Sequence, residues 1–137
     1  MASNLFIPNQ AASTMMNALA VMHNGGTFVA WASTQPATGN AATSAANYVL
    51  ATVNFSTVAF PVPASSTITA ATTSVLTTTA AVSSGICEWF EGNSSAGVRV
   101  IIGSVSTAAA DCNLNTNNIA QGASFTITAY SLTLPEH

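Results

Sequence analysis

Apolar side chains return at two different periods along this chain, and the change of period marks its elements. From about Asn9 to Met22 the spacing is helical: Ala12, Met15, Met16, Leu19 and Met22 recur at three- and four-residue steps, which places them on one face of an amphipathic helix. Asn9 or Ser13 suits its start as a cap. Asn24-Gly25-Gly26 suits its end, because glycine enters the left-handed conformation that closes helices without steric penalty. A methionine-rich face of this kind reads as core filling. Ahead of it, Leu5, Phe6, Ile7 and Pro8 form an apolar knot, expected to be an N-terminal arm over residues 1–8 that packs on a neighbour or closes its own core.

Beyond Gly26 the period falls to two. Thr27 to Ala32 is rich in aromatic and β-branched residues and reads as a strand, broken by Gln35-Pro36 and followed by a loop to Ala46. Tyr48 to Phe55 alternates again, with Val49, Ala51, Val53 and Phe55 on one side. Pro61-Val62-Pro63 then limits pairing to an edge or a turn. Ser65 to Ser84 is nearly all Ala, Ser, Thr and small aliphatics, and threonine's β preference predicts two short strands around Ile68 and Val75-Leu76. No fixed period recurs there, so an ice-binding array is not indicated.

The stretch GICEWFEGNSSAGVRVIIGSV places two apolar runs around the turn formers Gly92 to Gly97, the pattern of an antiparallel hairpin. In GASFTITAYSLTLP, Phe125 and Ile127 carry one phase of alternation and Tyr130, Leu132 and Leu134 the other. A bulge near Ala129-Tyr130 accounts for the shift.

Charge changes the picture more than any single motif. Lys plus Arg is 1 and Asp plus Glu is 4, so charged residues are 4% of 137, against roughly 25% in an ordinary soluble domain. Such a surface has little repulsion to keep copies apart and is expected to be covered by partner subunits or made of Thr, Ser and Asn. Arg99 is the single cation of the Lys/Arg type, which argues against nucleic acid and against an anionic membrane surface, since both are held by clusters of cations. No apolar run reaches the length of a membrane-spanning helix, and MASNLFIPNQ lacks the basic start of a secretory signal, so assembly in the cytoplasm is expected. In that reducing setting Cys87 and Cys112 read as two small buried thiols.

Candidate chemistry is sparse. Asp111, Asn113 and Asn115 match the opening of a calcium loop, but Thr116 stands where its turn glycine belongs and Gly122 where its bidentate Glu belongs, so backbone capping is the better account. Glu88 and Glu91 have opposite parity on one strand and do not form a catalytic pair; either can meet Arg99 across the hairpin. His23 falls in the last helical turn, where the helix dipole favours a cation and a structural role suffices. No nucleophile elbow, phosphate loop or metal cluster is present, which points away from an enzyme and from any cofactor.

Several stretches taken in order resemble small virion structural proteins of tailed bacteriophages. They are the helix followed by Gly25-Gly26 and a strand ending Thr34-Gln35-Pro36; LATVNFSTVAF followed by TITA; EWFEGNSSAGVRVIIGSV; and ADCNLNTNNIAQGASFTITAYSLTLP. This chain lacks most of the charges that such proteins carry near the helix and beside the Trp89-Phe90 pair. The resemblance implies a non-enzymatic virion component present in many copies, on the capsid or the tail.

The expected fold is mainly β: a single antiparallel β-sandwich or jelly-roll-like domain over residues 9–137, of about seven to nine short strands, with one N-terminal α-helix at about 9–22. The expected function is that of a capsid decoration or cement protein, a dimer or trimer that binds the major capsid protein and copies of itself. Leu5, Phe6, Ile7 and Phe60 are its candidate apolar contacts. The alternative is a tail or fibre component that stacks host carbohydrate on Trp31, Trp89 or Tyr130. A pilus or surface-layer subunit is a third reading, disfavoured by the lack of a signal sequence.

Overall fold

Helix α1 runs from Asn9 to His23 and stops where its sequence says it must. Gly25 takes a φ of 70° and the Gly26 amide bonds back to the His23 carbonyl, 3.1 Å, which turns the chain into the first strand. Its start differs from expectation: Pro8 is the capping residue, with no side-chain cap, and its carbonyl accepts from the Ala12 amide. A computed structural model describes residues 8–60, 67–69 and 80–133. The expected arm at Leu5, Phe6 and Ile7 and the strand expected at Val75-Leu76 lie outside those residues.

Among the described residues eight strands follow: β1 (Thr27–Ala32), β2 (Tyr48–Asn54), β3 (Thr67–Thr69), β4 (Gly85–Asn93), β5 (Arg99–Ser106), β6 (Cys112–Leu114), β7 (Asn118–Ile119) and β8 (Ile127–Thr133). They pair in the order β2-β1-β4-β5-β6-β8-β3, with β7 alongside β4. Every pairing is antiparallel except β5 with β6. The domain is therefore mainly β and sandwich-like, a curled sheet with one N-terminal helix against it, and the parallel β5–β6 step is the departure from an all-antiparallel plan.

Bulges let single strands serve two faces. Along β8 the register with β6 passes from Ala129 opposite Asn113 to Ile127 opposite Leu114, leaving Thr128 unmatched. That is the phase change legible in the sequence, one residue earlier than expected. A second irregularity falls between Trp31 and Ala32 where they face Trp89 and Cys87, so Cys87 joins the core although Trp89, two residues on, lies outside the core cluster. The β4–β5 turn is tighter than the six-residue loop expected: Gly92 and Asn93 remain in strand, and Ser94 to Gly97 makes the turn.

The core gathers Met16, Phe28, Leu50, Phe55, Phe60, Phe90, Leu114, Phe125, Ile127 and Tyr130. Helix α1 contributes Ala12, Met16 and Ala20, with Leu19 half-buried. Met15 and Met22, expected on that buried face, point outward. The reason is angular: Ala12, Met16, Leu19, Ala20 and His23 define a stripe about one residue's rotation away from the one drawn through Met15 and Met22.

Candidate functional site

The last residue of α1 is the centre of an aromatic knot. His23 is fully buried, its ring centroid 4.9 Å from that of Phe55, 4.7 Å from Phe60 and 5.7 Å from Tyr130. Its Nε2 shares a 2.8 Å hydrogen bond with the Tyr130 hydroxyl, joining α1 to β8. Gly92 lies under the imidazole, and a Cβ there would collide with its Cε1. This explains why a turn former sits inside β4: only hydrogen fits between that backbone and the ring. Asn24 fixes the fourth side, donating from Nδ2 to the Phe60 carbonyl at 3.1 Å and accepting the Phe60 amide at 2.7 Å.

Burial pushes the His23 pKa from 6.5 down to about 4, opposed in part by the Asn93 backbone beside it. The residue is thus structural, as expected, but as a neutral core histidine rather than a cation at a helix end. Tyr130 is held well above its ordinary pKa of 10 by burial first, then by Cys112 and Asp111. Cys87 is pushed up to about 12 by burial, and Cys112 is raised by burial and by the neighbouring Cys87; both thiols are free and buried. The knot can hold a proton between His23 and Tyr130, but its walls are core side chains.

On the opposite sheet face, Trp31 and Trp89 face each other across β1 and β4 with rings stacked at 5.3 Å and 6°. Trp89 is fully buried there. The segment 33–47 is tied to the sheet by the single Arg/Lys cation: Arg99 donates to the carbonyls of Gly39 (3.2 Å) and Ala41 (2.6 Å) and to Glu91 at 2.9 Å. Asn47 closes the other end, donating to the carbonyls of Ala32 and Thr34. Of the two pairings expected for Arg99, Glu91 is the one formed, while Glu88 is exposed.

These positions settle several candidates. Trp89 and Tyr130 are buried, so neither offers a ring face to a sugar, while Trp31 is half-buried. The ring of Phe60, expected at a partner interface, is spent inside its own chain between His23, Phe55 and Tyr130. Asp111 accepts from the Ser104 amide and hydroxyl, Asn113 from the Ala110 amide, and Asn115 from the Thr126 amide, so the calcium-like triplet caps backbone. Among the described residues no three metal-binding side chains cluster, and no helix is long and apolar enough to cross a membrane.

Large apolar side chains also face outward. Met15, Val21 and Met22 on α1 are 49%, 65% and 51% exposed, and no residue of α1 is an acid, a lysine or an arginine. Tyr48, Val82 and Ile86 are also exposed, and Gly85 packs beneath Tyr48. Periodicity misses the α1 surface because methionine reads as core by type. Counting two apolar stripes on one helix would have found it. No family model, curated protein or solved structure matches the chain.

Proposed function

We propose that this protein is a non-enzymatic structural component of a tailed-bacteriophage virion: a decoration or cement protein that binds the major capsid protein and copies of itself and stabilises the capsid lattice. One observation supports it above the rest. Large apolar side chains, Met15, Val21, Met22, Tyr48, Val82 and Ile86, stand exposed on a chain with five Lys, Arg, Asp and Glu residues in all (1 plus 4). Exposed apolar surface without charged gatekeepers is suited to permanent cover by protein.

The mechanism is binding linkage. A subunit that binds the assembled shell and not its dissociated parts adds its own binding free energy to the work of opening it. The burial of Trp89 and Tyr130, two of the three aromatic side chains considered for sugar stacking, favours this reading over carbohydrate capture. The test is a count of copies per particle by quantitative mass spectrometry, together with thermal opening of particles with and without the protein. Hundreds of copies and a lower opening temperature without them are expected. A dozen copies or fewer would place the protein on a tail, and absence from particles would end the virion reading.

A further inference from the structure

The outward face of α1 carries a series that complements itself. Ala11, Met15, Ala18 and Met22 follow one another at steps of four, three and four residues, the spacing of a two-helix seam, and all are exposed. Small and large side chains alternate along it. A two-fold axis crossing the helix between Met16 and Asn17 brings Ala11 opposite Met22 of the partner subunit and Met15 opposite Ala18 of the partner subunit. Each methionine then meets an alanine, as close interdigitation requires. A parallel pair would set methionine against methionine and alanine against alanine, overfilling one level and leaving a gap at the next.

We propose that α1 is a homodimer interface, in which two copies of this chain pack antiparallel through Ala11, Met15, Ala18 and Met22. Two further features fit. A shallow, open concavity lined by Pro8, Gln10, Ala11, Thr14 and Met15 lies at the N-terminal end of this face, where antiparallel pairing delivers the C-terminal turn of the partner's helix. And α1 has no exposed ionised side chain to repel its copy, His23 being buried. Helices of 15 residues bury less than the roughly 1,600 Å² of a standard interface, so the dimer exchanges. The inference deepens the assembly reading by naming a second copy as the partner of this face, and needs no capsid.

Mixing a Met15→Cys chain with an Ala18→Cys chain under mild oxidation tests the register, because native Cys87 and Cys112 are buried. The expected product is a 15-to-18 cross-linked heterodimer in the mixture, at least about fivefold above the homodimer from either chain alone. Equal or greater cross-linking of either chain with itself would overturn the antiparallel pairing. Ala18→Glu sets a carboxylate against Met15 of the partner subunit and should weaken dimerisation at least about tenfold in sedimentation equilibrium. Its far-UV spectrum should not change, since the position is exposed and Glu is a good helix former. An unchanged dimer, or a parent chain that stays monomeric to about 1 mM, would overturn the interface. Particle binding by a chain that never dimerises would reject this interface while keeping the virion reading; a dimer that ignores particles would do the reverse.

Discussion

Acid should loosen this fold through one residue. His23 is fully buried and neutral, with its pKa lowered from 6.5 to about 4 by desolvation. The groups packed on it are Phe55, Phe60, Gly92, the Asn93 backbone and Tyr130, of which Tyr130 alone titrates, and only at alkaline pH. Below pH 6.5 the unfolded chain takes up a proton at this site and the folded chain does not until about pH 4. Stability from the histidine is therefore complete above pH 6.5 and falls as pH drops through that window. At about 1.4 kcal/mol per pH unit the loss is about 2 kcal/mol between pH 7 and 5 and tends to about 3 kcal/mol at the lower limit. Against a stability of roughly 5–15 kcal/mol for a domain, that is a visible fraction.

Urea unfolding at pH 7.5, 6.5, 5.5 and 4.5, read as linear extrapolations, measures it. His23→Gln provides the control: the variant is less stable throughout, but its profile between pH 6.5 and 4 should be flatter by the amount calculated. Equal slopes in parent and variant would refute the reasoning, as would an NMR titration in which His23 protonates near 6.5 in the folded state.

Other residues give sharper local tests. Gly92→Ala should cost about 2–3 kcal/mol in urea unfolding, because a Cβ collides with the His23 ring and comes within 2.8 Å of Ile101 Cγ2; a neutral substitution would show that the ring is free to move. Tyr130→Phe should cost about 1–3 kcal/mol by leaving His23 Nε2 buried without its partner. Arg99→Met should speed proteolytic cleavage within segment 33–47, since it removes the bonds to the Gly39 and Ala41 carbonyls and the ion pair with Glu91; unchanged cleavage would mean that the segment holds itself. Cys87 and Cys112 should resist a disulfide reagent at pH 8 until urea is added, and rapid reaction in the native state would contradict their burial and raised pKa values.

Much of this architecture could be read from side-chain periodicity. The helix end at Asn24-Gly25-Gly26, the strands at Thr27–Ala32 and Tyr48–Asn54, the β4–β5 hairpin and the phase change in β8 all follow from local patterns, because turn residues and alternation act within a few positions. Residues whose role depends on distant partners were not legible. Gly92 looked like a turn because the histidine that crowds it is far away in the chain. Phe60 looked like surface because it follows an irregular segment, although Asn24 draws it inward. The parallel β5–β6 pairing leaves no local signature either.

If a second copy or a capsid covers the uncharged apolar face of α1, methionine oxidation reads that cover directly. Peroxide footprinting with peptide-level mass spectrometry should find Met15 and Met22 oxidising fast in dilute protein and progressively protected as concentration rises. Met16, one residue away and buried in the core, should stay protected throughout. Oxidation of Met15 and Met22 at one rate across all concentrations, and equally with capsids present, would contradict the account.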